Sequence, residues 1–221
     1  MKSAIKVLSF DLDNALYDNA PVIAHAERCS SEFLQAEFEK QGQVFELEAF
    51  LSIRQSLLEQ NNPAFENLSR MRKHALSILC GDLNNAEYIA AEAFSRFIKA
   101  RSLIRVEPEI EAMLSKLSAK FTIVSASNGN CDIASTEIGE YFDSRWSATD
   151  DLRAKPHPEM LQAICKHYSI APENLLHIGD SEAKDGGSAQ AAGAAYFKLA
   201  PFENGYFDPE KVFELENRLL N

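Results

Sequence analysis

Residues 7–17 read Val7-Leu8-Ser9-Phe10-Asp11-Leu12-Asp13-Asn14-Ala15-Leu16-Tyr17, and this stretch decides how the rest of the chain is organised. Residues 5–10 are a short β-prone apolar run that stops abruptly at the acidic cluster 11–14, the pattern of a buried strand leading into a loop. In an open parallel sheet the carboxyl ends of the strands face the ligand crevice, so Asp11 and Asp13 are expected at its edge.

Beyond this strand the rhythm changes. Val22, Ala26, Cys29, Phe33 and Ala36 recur every three or four residues, as do Leu68, Met71, Ala75, Ile78 and Leu79, and then Ala90, Ala93, Phe94 and Phe97. The breaks fall at Gln41-Gly42, Asn61-Asn62-Pro63 and Gly81-Asp82, which are punctuating residues. The pattern predicts about four amphipathic helices and no strand between residues 21 and 100. After Arg105 the chain alternates: helix 108–119, strand 121–125, helix 131–140, a weak strand 144–147, helix 158–168, strand 174–178, helix 183–192 and strand 194–199. An amphipathic helix over 209–221 closes the chain. Strands alternating with helices of this length predict an α/β fold, a parallel sheet with helices on both faces, whose first strand is separated from the rest by an all-helical insertion.

Composition narrows the functional classes. The 221 residues include 46% hydrophobic and 25% charged residues, ordinary globular usage that disfavours disorder. Lys and Arg number 22 against 33 Asp and Glu, a formal charge of −11, so a broad basic face for nucleic acid is not expected. A bound cation and a few local basic groups still allow a small phosphorylated substrate. No run approaches the ~20 apolar residues of a membrane span, and the apolar run at the N-terminus is too short for a signal segment. Cys29, Cys80, Cys131 and Cys165 lie far apart without a Cys-x-x-Cys pair. They are expected to pack as small hydrophobes rather than hold zinc or disulfides, and a cytoplasmic location follows as an expectation.

The residues just after each predicted strand carry the chemistry. They are Asp11 and Asp13, then Ser127-Asn128-Gly129, then Lys155 in its loop, then Gly179-Asp180 with Asp185. Asp11, Asp13 and Asp180 are hard oxygen donors without histidine or thiolate nearby, which suits Mg²⁺. A carboxylate beside such a cation can attack phosphorus, and a second acid two residues on can protonate the leaving oxygen and then activate water. Ser127 and Lys155 would bind the phosphoryl oxygens. Singly, each segment has a plainer reading as turn chemistry, a helix cap or a solvated lysine. Their joint occurrence at strand ends, in this order, is what points to phosphate hydrolysis.

In these motifs the chain resembles the haloacid dehalogenase-like hydrolase superfamily. Asp11-Leu12-Asp13-Asn14-Ala15 is similar to its Asp-x-Asp-x-Thr opening, Ser127 to its second motif, Lys155 in Ala-Lys-Pro to its third, and Gly179-Asp180 through Asp185 to its fourth. The resemblance implies a Rossmann-like core over 1–17 and 104–221 with a helical cap of the C1 type over 18–103. It implies Asp11 as nucleophile and Asp13 as general acid/base, with Asp11, Asp13, Asp180 and Asp185 forming or supporting a Mg²⁺ site. Ala15 departs from the usual Thr. Asp13 favours phosphate esters, because members that displace halide have no leaving oxygen to protonate. Closer similarity is to flavin mononucleotide and riboflavin-pathway phosphatases, with pyrimidine nucleotidases as the nearer alternative; a small phosphorylated metabolite is the expected partner. Asn128, Gly129, Tyr17 and Arg70 are the candidate substrate contacts. Tyr17 has packing against the hinge as its other reading, and Arg72 is expected as a solvated partner of cap acids. His177 is expected as a satisfied core histidine. A receiver domain would need no helical insertion, and a non-catalytic phospho-ligand-binding relative would not need the full acidic set.

Overall fold

The computed structural model describes residues 4–149, 151–203 and 205–221. Residues 1–3, the start of the expected core domain, lie outside them. In chain order the elements are β1 (Val7–Phe10), α1 (Asn19–Lys40), α2 (Leu47–Glu59), α3 (Leu68–Leu79), α4 (Ala86–Arg101), α5 (Pro108–Ser118), β2 (Thr122–Ser127), β3 (Ser144–Ser147), α6 (Glu159–His167), β4 (Leu175–Gly179), α7 (Gly187–Ala192), β5 (Ala195–Lys198), β6 (Phe202–Glu203), β7 (Tyr206–Phe207) and α8 (Pro209–Leu220). The chain divides into two compact units, residues 1–19, 104–129 and 133–221, and residues 20–103 with 130–132.

The first unit is an α/β fold. Five parallel strands pair in the order β3-β2-β1-β4-β5 and are flanked by helices. Strand β1 is central, with Phe10 level with Ser125 of β2 and Ile178 of β4. All four of its residues are buried, as expected of a strand covered on both faces. The Asp11 amide continues the ladder one residue further, donating to Ile178 O at 2.7 Å, so the backbone of the first acid is held by the sheet. Val7, Val124, Ala126, Leu161, Ile164 and Leu175 lie in one apolar cluster beneath the strand ends.

The second unit is helical. Helix α3 packs on both α2 and α4, and Ser30 of α1 donates to Ala93 O of α4 at 3.1 Å. Phe38, Phe50, Leu57, Met71, Leu76 and Ile89 fill its core. Arg72 is not a solvated partner of surface acids: it is 3% exposed, pairs with Glu27, and lies 3.4 Å over the ring of Phe97. An acid at hydrogen-bonding distance and an aromatic face together offset the desolvation of its guanidinium. Arg54 donates to the same Glu27 at 2.9 Å.

The secondary structure differs from the sequence expectations in three places. No α-helix forms over 131–140; two short 3₁₀ turns, Ile133–Ser135 and Gly139–Tyr141, take its place. The Thr136 hydroxyl donates to Ile133 O, and a Cβ at Gly139 would sit 2.4 Å from that same oxygen, so the segment folds tightly on itself instead of coiling. The helix expected from 183 is a π turn over Glu182–Gly186 followed by α7, and a small hairpin, β6 with β7, precedes α8. All four cysteines are free; Cys80 and Cys165 are buried, and Cys29 and Cys131 half-buried. Among the described residues no helix is long and apolar enough to cross a membrane.

Removing Glu27 would leave the Arg72 guanidinium buried without its acid. Because Glu27 is itself partly exposed, Glu27→Ala is expected to lower stability by about 2 kcal/mol, read as a shifted midpoint in urea unfolding.

Candidate active site

Four strand-end segments of the first unit converge on one cavity of about 240 Å³. Asp11, Asp13, Asn14, Asn19, Ser127, Asn128, Gly129, Lys155, Asp180, Ser181, Lys184 and Asp185 line it. Asp11 is the residue after β1 and is 8% exposed. Ser127 ends β2, and its hydroxyl accepts from the Gly129 amide at 3.0 Å, which shapes the turn.

Asn128 was a candidate substrate contact, and it also lines the wall. Its amide group is nevertheless committed to the chain: Nδ2 donates to Lys155 O and Oδ1 accepts from Lys155 N, both at 2.8 Å. This two-bond clamp fixes the backbone of the lysine loop against the end of β2.

Lys155 is 3% exposed, and its ammonium donates to Ala126 O at 2.6 Å and Asp185 Oδ1 at 2.5 Å, with Asp11 Oδ1 at 2.9 Å. Burial by itself would lower its pKa, but the charges of Asp11 and Asp185 outweigh that and hold it above the ordinary lysine value. For Asp11 burial dominates and raises the carboxyl, with Lys155 pulling the other way.

Asp185 is anchored on every side. Lys155 and His177 share its Oδ1, His177 Nε2 lying 3.1 Å away, and Oδ2 accepts from the Ser181 amide at 3.0 Å. Burial would raise this carboxyl, but the His177 hydrogen bond and the Lys155 charge keep it well below the usual carboxylate range. His177 is fully buried, as expected of a core histidine, and Nδ1 faces Ser9 O and Ser9 Oγ at 3.0 and 3.1 Å. Burial and then the Lys155 charge lower its pKa. A carboxylate only accepts, so Nε2 carries the proton that meets Asp185. No motif marks this link, and strand parity is its one signal in the sequence: His177 is two residues before Gly179 and Ser9 two before Asp11, on paired strands. Gly179 is needed for a spatial reason, since a Cβ there would lie 2.3 Å from the Asp185 carboxyl carbon.

Asp180 is half-buried at the mouth, and burial, Asp11 and Asp185 push it up to about 6. Asp11, Asp180 and Asp185 each offer a carboxylate oxygen, all within 4.8 Å of one another. Hard oxygen donors gathered this closely, two of them raised by burial and then by neighbouring acids, fit a divalent cation.

Tyr17 does not present a ring to the cavity: it is fully buried, and its hydroxyl donates to Asp13 Oδ1 at 2.5 Å. Arg70 is exposed on α3 of the second unit. Asn14, Asn19, Ser181 and Lys184 join the lining beyond the sequence candidates; Asn14, Ser181 and Lys184 are next to such candidates, and Asn19 is two residues after Tyr17. Ala15, in place of the usual Thr, is fully buried.

The haloacid dehalogenase-like hydrolase family matches residues 5–193 of this chain, a span that contains every acid and the lysine just described. The chain belongs to that family. Over 205 residues this haloacid dehalogenase-like hydrolase is 30% identical to the 5-amino-6-(5-phospho-D-ribitylamino)uracil phosphatase YigB of Escherichia coli, covering 91% of this chain and 85% of the relative. It is 24% identical to a phosphoglycolate phosphatase of Nitrosospira multiformis, over 96% and 89% of the two chains. Among solved structures it is similar to a 2-haloacid dehalogenase of Pseudomonas syringae, at 27% identity and a TM-score of 0.80, over 96% of this chain and 99% of the other. Within the family this chain is a phosphoric monoester hydrolase.

Two outcomes follow from this geometry. Gly179→Ala forces the Asp185 carboxylate off Lys155 or the strand off its register; it is expected to cost about 1–3 kcal/mol in urea unfolding and to lower kcat at least tenfold. Burial and its acid neighbours push Asp180 up to about 6, so near that pH protons compete with a cation for its carboxylate. Affinity for a divalent cation is therefore expected to fall as pH drops through 6, in calorimetric titrations at pH 5 and pH 7.5.

Proposed function

We propose that this hydrolase cleaves small phosphomonoesters in two steps through an aspartyl-phosphate on Asp11, with Mg²⁺ as cofactor. The observation that carries the reading is the buried Asp11–Lys155 pair at 2.9 Å, facing a cavity whose other wall is Asp180. An Asp11 oxygen attacks phosphorus, the ester P–O bond breaks, and Asp13 gives its proton to the departing oxygen. Asp13, now a carboxylate, takes a proton from water; the resulting hydroxide attacks the phosphoryl group, releasing phosphate and restoring Asp11. Lys155 offsets negative charge on the transferring group from a water-poor position. Asp11, Asp180 and the backbone of Asp13 would hold the cation, with Asp185 as the support behind them. When bound, the cation neutralises phosphoryl oxygens and lets the carboxylates stay ionised. Ser127 and Gly129 are read as phosphoryl contacts.

The substrate class we favour is a ribityl phosphate of the riboflavin pathway, or flavin mononucleotide. The E. coli relative is named for such a compound. An alkoxide leaving group also requires the proton that Asp13 supplies. The helical residues 18–103 are read as the cap that selects among such leaving groups, with Arg70 as a candidate contact. Pyrimidine monophosphates and phosphoglycolate are the competing substrates.

Phosphate release from p-nitrophenyl phosphate is expected to require Mg²⁺ and to fall by at least 10³-fold in Asp11→Asn. A variant as active as the parent would overturn the nucleophile. In a panel of flavin mononucleotide, 5-amino-6-(5-phospho-D-ribitylamino)uracil, phosphoglycolate and pyrimidine monophosphates, the ribityl phosphates are expected to give the highest kcat/KM.

A further inference from the structure

The loop after β1 turns back on itself. Asn14 sits at φ +60°, a left-handed conformation that Asn tolerates better than most residues. The Leu16 amide donates to Leu12 O and the Asn14 amide to Tyr17 O, both at 2.9 Å, and residues 13 and 17 pair as an isolated bridge. This reversal brings the phenol of Tyr17 over Asp13, where it donates to Oδ1 at 2.5 Å. Ala15, Leu16 and Tyr17 are all fully buried, so the ring is locked in place. Asp13, half-buried, lines the cavity, and the phenol does not.

We propose that Tyr17 is the positioning residue of the general acid: it holds one oxygen of Asp13 and thereby fixes the carboxyl in a single rotamer at the cavity wall. The inference rests on Asp13 being the acid, as read above. A short carboxylate on a loop has several staggered wells and a freely turning carboxyl group, whereas proton transfer as the P–O bond breaks needs the donor within hydrogen-bond reach of the departing oxygen. A rigid, buried phenol supplies that constraint at little entropic cost, because its own ring cannot move. Tyr17 neither gives nor takes the transferred proton, which passes from Asp13 to the leaving oxygen.

The test compares kcat/KM for two probes, β-glycerophosphate, whose alkoxide must be protonated to leave, and p-nitrophenyl phosphate, whose phenolate leaves without a proton. This parameter reports the steps up to departure of the leaving group and so excludes the later hydrolysis. Tyr17→Phe is expected to depress β-glycerophosphate turnover about tenfold more than p-nitrophenyl phosphate turnover. Asp13→Asn is expected to show the same selectivity more strongly, and adding Tyr17→Phe to it to change the selectivity no further. Both rates are read on one preparation, so a partly unfolded variant lowers them alike and leaves their ratio unaffected. Equal losses on both probes in Tyr17→Phe, with Asp13→Asn selective, would overturn the role of Tyr17 and leave the acid standing. Asp13→Asn without selectivity would overturn the acid assignment and this inference with it.

Discussion

The ammonium of Lys155 is the group on which the rest of the site depends. Placed alone at that depth it would be strongly disfavoured as a cation, and the structure compensates with Asp185 at 2.5 Å, Asp11 at 2.9 Å and the Ala126 carbonyl at 2.6 Å. Those partners come from the π turn after β4, the end of β1 and strand β2. One side chain therefore locks three separately encoded strand ends into register. The supports behind it follow the same logic: the Asn128 amide clamps the lysine backbone, and His177 steadies Asp185 from within the sheet.

One lysine does not balance the carboxylates around it. Asp11 and Asp180 both lie above the ordinary carboxylate pKa, burial being the largest cause in each and neighbouring acids adding to it. Asp185 goes the opposite way, because His177 and Lys155 satisfy it directly. The acids thus divide into Asp185, held by Lys155, His177 and the Ser181 amide, and Asp11 and Asp180, whose raised carboxyls a cation would complete. Asp13 stands apart from both, tied to the phenol of Tyr17 within its own loop.

The strands were the most legible part of the fold. The weak run 144–147 matches β3 residue for residue, and the apolar runs around β1 and β4 stop at the acids that matter. β1 and β4 are buried parallel strands, whose composition is nearly all the evidence they need, whereas β3 is a half-exposed edge strand. The four helices of the second unit followed their periodicity for the same reason, a single apolar face per helix. Residues 131–140 failed because a stretch with apolar spacing but β-branched and hydroxyl residues was held by contacts of its own backbone, which no periodicity records. Arg72 failed because the acid and the ring that make its burial tolerable are distant in the chain.

From the amino-acid order alone came the α/β class, the family resemblance and eight of the residues that line the cavity, since each stands near a strand end, by a Gly turn or, for Lys155, in an Ala-Lys-Pro loop that local pattern marks. Only the tertiary structure decided what each one touches. That Asn128 clamps the lysine loop, that Asp185 is shared by Lys155 and His177, and that Tyr17 grips Asp13 instead of offering its ring to a ligand are matters of hydrogen-bond direction and burial. Such interactions form between residues that pattern and spacing treat as independent, so they exist only once the sheet has brought its strand ends together.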